Sequence, residues 1–422
     1  MIKPENAGVL SNLRVIEMGT EIGAWCGKLL ADMGANVIKI ESLLGDRSRA
    51  YEPFYQDNQS AENSLFWWHY NTNKQSVTID IESKQGQDLV RKLASKCDVI
   101  LDSYEPGYLD RLGLGYDQLK EENESIIVAA VSFFGKNMPY SSYAMTDLTA
   151  IAFGGPAWSC GYDDHSIAPV RGGGNQGYQT ACHFAMIAIM AALVYRSESG
   201  VGQFIDVNMH AALNVTTESG SYNYLVNGES VQRQTGRHAG IRPSPGTQIM
   251  GPGGRYINVG FPARTEEQWF TLLAWLEEEG VLGDLGDYLS PPNRQSLQIG
   301  DQKATEQLTK VMEAISSMAA DKDPFELFCE AQNRGLQWGI VNAPEDVIND
   351  PHFNARGFIV SVEHPEIDSS FRYPGAPYRF EKGQWSIRRR APLLGEDTKS
   401  VLMDDLNLTE LEYQKLSWEG VI

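Results

Sequence analysis

Residues 171–207, RGGGNQGYQTACHFAMIAIMAALVYRSESGVGQFIDV, constrain this chain more than any other stretch. A glycine-rich loop runs into a segment that is apolar on almost every side, which reads as a buried helix with a positively polarised N-terminus. Tyr178 stands at that N-terminus. The turn at 197–203 then feeds a short strand, 204–207, so the helix is expected inside a layered α/β core.

The flanking sequence supplies the rest of that core. Residues 14–18 read as a strand, 25–33 as a helix and 36–41 (NVIKIE) as a second strand, a parallel β-α-β opening. Its turn, GTEIGAWCG, repeats glycine every four residues at Gly19, Gly23 and Gly27, unlike the GxGxxG of a dinucleotide site. These glycines are read as allowing the turn at the strand end. An amphipathic helix at 85–97 precedes buried strands at 98–104 (DVILDSY) and 125–135 (SIIVAAVSFFG). Strands alternating with helices imply an α/β fold with a doubly wound, mostly parallel sheet.

Beyond about residue 225 the pattern changes. Residues 228–250 read as a mobile connection, with Pro243 and Pro245 breaking any helix. A strand at 255–259 and amphipathic helices at 266–280 and 303–318 suggest a smaller α+β domain. The expected division is 1–225 for the N-terminal part of a large domain, 226–330 for a linker and small domain, and 331–422 for a return to the large domain.

With 422 residues, 42% of them hydrophobic, the chain can bury a large core. A net charge of -20 argues against a nucleic-acid or anionic-membrane partner. The five cysteines, Cys26, Cys97, Cys160, Cys182 and Cys329, form no CxxC pair, so neither a zinc site nor a disulfide framework is indicated. The N-terminal residues lack signal-peptide character and the longest apolar run, 181–194, is too short to span a bilayer, so a cytoplasmic protein is expected.

Several residues invite chemistry, each with a plainer alternative. Lys74 precedes a strand and suits a phosphate contact, or is an ordinary surface lysine. Arg111, by its neighbours alone, reads as an ion pair with Asp110 or Glu105. Asp147 is an acidic candidate that can equally cap the helix after it. Asp163, Asp164 and His165 are consecutive on a polar loop and read as a solvated turn, while His69, His183 and His210 read as hydrogen-bonded core histidines. The only basic run, Arg388 to Arg390, reads as a solvated loop or an inter-subunit acidic contact.

The glycine-rich loop, the helix ending in AAL and the following YRSESGVGQFIDV resemble the family III CoA-transferases, which include formyl-CoA and carnitine CoA-transferases and α-methylacyl-CoA racemase. Further segments agree: NTNKQS with Asn73 and Lys74, EPGYLDRLGLGYDQL after Tyr104, GLQWGIVNAPEDVINDPHFNARGF, YPGAPYRF and RRRAPLLGEDTKSVL. The resemblance implies a Rossmann-like large domain built from both chain ends, a small domain, and an interlocked dimer. It also implies CoA or acyl-CoA as substrate, with no covalently bound cofactor and no metal, and places Gly23, Asn73, Lys74, Tyr104 and Arg111 against CoA.

The departures are as informative. In that family an aspartate at the helix start attacks the acyl thioester, passing through a mixed anhydride to an enzyme thioester. Counting back without gaps from Ala191, Ala192 and Leu193 puts Tyr178 at its position. A tyrosine has no carboxyl carbon to carry CoA, so no catalytic residue is expected here beyond a weak candidate in Asp147. Trp25 stands where proline is usual and is expected to narrow the pocket, Glu105 replaces an arginine, and Trp338 replaces a proline.

The first reading is therefore a non-catalytic subunit whose partner is a homologous, aspartate-bearing CoA-transferase subunit, the pair moving CoA from an acyl-CoA such as succinyl-CoA to a carboxylic acid. Phe66, Trp67, Trp68 and Trp25 are compatible with an aromatic acid or with core packing. The alternatives are a self-sufficient transferase, isomerase or racemase with altered acid/base residues, and a scaffolding homodimer.

Overall fold

The computed structural model describes residues 8–283, 290–292, 296–297 and 301–422. The first of two compact units comprises the chain up to Ala150, Gly173–Leu213 and Asp350–Ile422; the second comprises Ile151–Gly172 and Asn214–Asn349. The expected divisions at 225 and 330 both fall inside the second unit.

The first unit is built on six parallel strands: β1 Arg14–Met18, β2 Asn36–Glu41, β3 Gln75–Thr78, β4 Val99–Asp102, β5 Ile127–Ser132 and β6 Phe204–Asn208. Their order is β3-β2-β1-β4-β5-β6, so the winding direction reverses between β1 and β4. Both faces of the central strands are covered, so Val15, Ile16, Ile38, Ile100 and Ile127 are fully buried, and the charged Glu17 and Lys39 on the same strands are buried with them as an ion pair. The helices of the N-terminal half are α1 Ala24–Asp32, α2 Leu65–Tyr70, α3 Lys84–Ala94, α4 Tyr108–Arg111, α5 Tyr116–Glu122, α6 Asp147–Gly154 and α7 Gln176–Ser199. One core layer joins Ile16, Ile38, Val77, Leu89, Leu93 and Ile100 to Val401 and Leu402, so the C-terminal segment completes the fold begun by the N-terminal one.

Helix α7 packs on α1, β5 and β6, burying Ala181, Ala185, Ile189 and Ala192. By length and composition it is apolar enough to cross a membrane, yet its buried face belongs to the core. It is not buried all round as expected. Phe184, Ile187, Val194 and Tyr195 recur at helical spacing on its other face and are exposed.

The second unit has a three-stranded antiparallel sheet in the order Gly339–Ile340, Tyr256–Asn258, Gln248–Met250. Helices Glu266–Glu278, Gln302–Ala319 and Pro324–Asn333 pack Trp269, Trp275, Val311 and Ile315 into its core. Trp338 belongs to that core, 5.4 Å from the Trp275 ring, with its indole N–H donating to Pro262 O. The connection at 228–250 is more ordered than its prolines suggested: Gln232–Gln234 and Arg237–Gly240 form a hairpin before either proline is reached. Asp163 pairs with Arg237 at 2.7 Å and His165 lies 3.1 Å from Arg233 O, so the polar loop expected to be a solvated turn is tied to that hairpin.

Candidate active site

In a doubly wound sheet a ligand site forms where the winding reverses, beyond the carboxyl ends of the strands. Here that point lies between the loops after β1 and β4, which Ser103 stitches together. Its hydroxyl accepts from Thr20 N (3.0 Å) and donates to Thr20 O (3.0 Å). Gly19, at φ +125°, and Gly23 permit this approach, since a Cβ would lie 2.4 and 3.0 Å from Ser103 Oγ respectively. Gly27 is not part of the turn but lies within α1.

Two of the expected CoA contacts are interior residues. Lys74 is fully buried, its Nζ 2.7 Å from Glu17 Oε2 and donating to Ala24 O and Asn71 Oδ1 at 2.9 Å. An ammonium has three donors, and all three are committed. Neither the phosphate contact nor the surface lysine describes it. Asn73 adopts φ +64° and joins the C-terminal segment to α1: its amide donates to Asp32 and Ser386 O, while its carbonyl accepts from the backbones of Arg388 and Arg389. The basic run it holds is not a solvated loop. Arg389 pairs with Asp397 and Glu396, Arg390 pairs with Glu366 and Glu396, and Arg388 donates to Ala31 O at the end of α1.

Tyr104 and Arg111 meet through a third residue. The Tyr104 ring lies 4.6 Å from Tyr108, and the exposed Arg111 guanidinium sits 5.5 Å over Tyr108. Asp110 pairs instead with Lys136 at 2.8 Å. Below them Asp102 is a carboxyl that sequence reasoning did not single out. Burial pushes it up to about 7 and Asp110 adds to this, against the Tyr104 N–H it accepts and Lys136.

Tyr178 and Asp147 do come together. Tyr178 lies in the first turn of α7, nine-tenths buried, and its backbone N–H donates to Asp147 Oδ1 at 3.1 Å. Asp147 thus caps α7, where a negative charge is favoured at a helix N-terminus. Burial, reinforced by Glu21 and Asp147, pushes the Tyr178 phenol up to about 12, so it is protonated at neutral pH. Beside it, Glu21 is almost fully buried and is held by both nitrogens of an Arg47 fork, at 2.7 and 2.5 Å. Sequence reasoning passed over this pair, although Glu21 lies in the glycine-marked turn and Arg47 in a loop after β2.

The aromatic residues divide. Trp67 and Trp68 are core, the first under Arg49 at 3.7 Å and the second packed on His364. Trp25 and Phe66 are only half-buried. The Trp25 indole donates to His183 Nε2 at 3.0 Å and stacks on His69 at 6.0 Å. His183 is thus hydrogen-bonded but on the exposed face rather than in the core, and burial lowers His69 to about 4.

A family model described as CoA-transferase family III matches residues 10–398. Over 398 residues the chain is 30% identical to succinyl-CoA:(R)-benzylsuccinate CoA-transferase subunit BbsE of Thauera aromatica, covering 93% of each chain. It is 27% identical over 418 residues to succinyl-CoA:glutarate CoA-transferase of Mus musculus, covering 98% of this chain and 90% of that one. The crystal structure of a CAIB/BAIF family protein from Brucella suis matches with a TM-score of 0.77 and 25% identity, over 95% of this chain and all of the other. With the parallel sheet, the stitched switch-point loops and a family match across most of its length, the chain belongs to CoA-transferase family III.

Proposed function

We propose that this chain is a subunit of a hetero-oligomeric CoA-transferase and does not itself carry the acyl group. The observation behind this is Tyr178. A carboxylate nucleophile works because its carbonyl carbon can receive the CoA thiolate and become a thioester. A phenol offers at most an aryl ester, and one held near 12 is a poor nucleophile at neutral pH. Asp147 is spent as the cap of α7.

The partner in this reading is a homologous chain with aspartate at the position of Tyr178, and the assembly is an interlocked dimer. The exposed Phe184, Ile187, Val194 and Tyr195 on α7 support a chain seated there, since contiguous apolar surface of this kind marks an interaction site. The Thauera aromatica relative is named as a subunit, which supports the same view. From the relatives' names the donor is succinyl-CoA and the acceptor a carboxylic acid, with (R)-benzylsuccinate as the candidate. Gly23, Tyr104 and Arg111 are retained as residues facing acyl-CoA, while Asn73 and Lys74 are withdrawn.

A self-sufficient enzyme has one residue in its favour, the Glu21 carboxylate beside Tyr178. It ranks second because Arg47 already engages both of its oxygens. Purifying the chain alone and with a co-expressed aspartate-bearing homologue, then following CoA exchange from succinyl-CoA to candidate acids, separates the two. Exchange only in the mixture is expected; exchange by the lone chain at an enzymatic rate contradicts the proposal.

A further inference from the structure

Arg47 and the Tyr178 phenol present hydrogen-bond donors where an acyl carrier would present an oxygen anion. A guanidinium has five N–H groups in a rigid fork, and the two bonds to Glu21 leave three. Arg47 is also unlike its neighbours. Asp46 pairs with Lys39 and Arg49 with Glu41 in the interior, whereas 59% of the Arg47 side chain is exposed. Its orientation comes from Glu21, which is 95% buried and so fixes the fork at the rim. Tyr51 and Tyr178 both lie in the field of this pair and both keep their protons, being pushed up to about 12 first by burial and then by Glu21, to which the Tyr51 hydroxyl is itself hydrogen-bonded.

An aromatic wall leads from the pair to α7. The Tyr51 ring is 5.3 Å from Phe66, Phe66 is 4.5 Å from Tyr70, and the Tyr70 hydroxyl accepts from Gln179, the residue after Tyr178. Arg47 also lines an open depression of about 380 Å³ with Leu44, Phe54 and Ala61, which Tyr51, Phe66 and Tyr70 do not border. A guanidinium fork with the Tyr178 hydroxyl beside it and aromatic rings alongside suits an amphipathic carboxylate.

We propose that Arg47, oriented by Glu21 and with the Tyr178 hydroxyl beside it, binds the carboxylate of an acid whose apolar body lies along the rings of Tyr51 and Phe66. The inference rests on Tyr178 occupying the acyl site, and it gives that site a task other than carrying CoA: it holds a free acid. Glu21 neutralises part of the Arg47 charge, so it acts as a positioning residue that also limits affinity.

Equilibrium binding to the full chain tests this without turnover, using 3-phenylpropionate, its uncharged amide and acetate as probes. The acid is expected to bind at least tenfold more tightly than the amide or acetate. Arg47→Lys keeps a cation against Glu21 but loses the fork, and is expected to weaken the acid at least tenfold. Glu21→Gln removes the neutralising charge and is expected to tighten it several-fold, while Tyr178→Phe weakens it about threefold. An acid that binds no better than its amide, or Arg47→Lys and Glu21→Gln proteins that melt as folded chains yet bind like the parent, overturns the proposal. Absence of CoA exchange in the two-chain mixture would remove the subunit reading and leave this binding result standing, so the two failures are distinguishable.

Discussion

Two sets of ion pairs lie side by side on the segment after β2, and they differ in what surrounds them. Asp46 pairs with Lys39, which together with Lys74 holds Glu17, and every one of these side chains is 3% exposed or less. The next residue, Arg47, reaches back to Glu21 from a side chain more than half in solvent. In the interior, each charge compensates another, and Lys74 has no donor to spare for a ligand. At the rim one partner is buried and the other is not, so the buried carboxylate sets the direction of a group that still faces outward. Charge type alone does not separate a structural lysine from a ligand-binding arginine; the asymmetry of burial does.

Removing one partner from the interior set is the largest expected break in this comparison. Lys74→Met leaves Glu17 with Lys39 alone and is expected to cost about 4 kcal/mol in denaturant unfolding. A loss under about 1 kcal/mol would mean that Lys74 is not the interior residue described. Asp102 sharpens the same point with opposite sign, since it is buried with only partial help from Lys136. Its folded value is raised from 3.8 to about 7, so the stability it contributes is complete below about pH 4 and lost as pH rises through 7. Asp102→Asn should therefore stabilise the protein at pH 8 by about 4 kcal/mol and do nothing near pH 3.5. Melting temperatures at the two pH values check this.

Asn73→Ala should cost about 2 kcal/mol, because it removes the bonds to Asp32, Ser386, Arg388 and Arg389 together. Hydrogen exchange at the Arg388 and Arg389 amides is expected to accelerate in step. At the rim, Arg47→Gln should cost only about 1 kcal/mol, because water can replace a half-exposed partner. The smallest effect is on titration. The neutral Tyr178 phenol contributes stability below about pH 10 that is lost as pH rises through about 12, and Glu21→Gln should move that loss to lower pH. Phenolate absorbance of the variant against the parent, with Tyr178→Phe as reference, would show it.

How much of this was legible beforehand follows the same division. The strands of the parallel sheet were readable because a strand buried on both faces carries apolar residues at successive positions, as in SIIVAAVSFFG; NVIKIE departs from this at Lys39 and Glu41, each paired with another charge in the interior. The two apolar faces of α7 read alike in sequence, and only packing shows that Ala185 and Ile189 are covered while Ile187 and Val194 are not. Lys74 was misread because a lysine before a strand looks the same whether it meets solvent or a buried glutamate 57 residues earlier in the chain. The hairpin at Gln232–Gly240 was hidden by the prolines that follow it, although Thr235 and Gly236 supply its turn. Tyr178 was found by counting along a motif. Its neighbours Glu21 and Arg47 were not, because nothing local in GTEIGAW or GDRSRA says that the two loops meet.

A phenol at position 178 in place of an acyl-carrying side chain leaves the chain without a CoA carrier of its own. The most direct measurement is CoA exchange from succinyl-CoA by the purified chain alone, beside its Tyr178→Asp variant and the mixture with an aspartate-bearing homologue. No exchange by the parent alone, with exchange in the mixture, is the predicted result. Exchange by the unaided parent chain at a rate matching the mixture would contradict it.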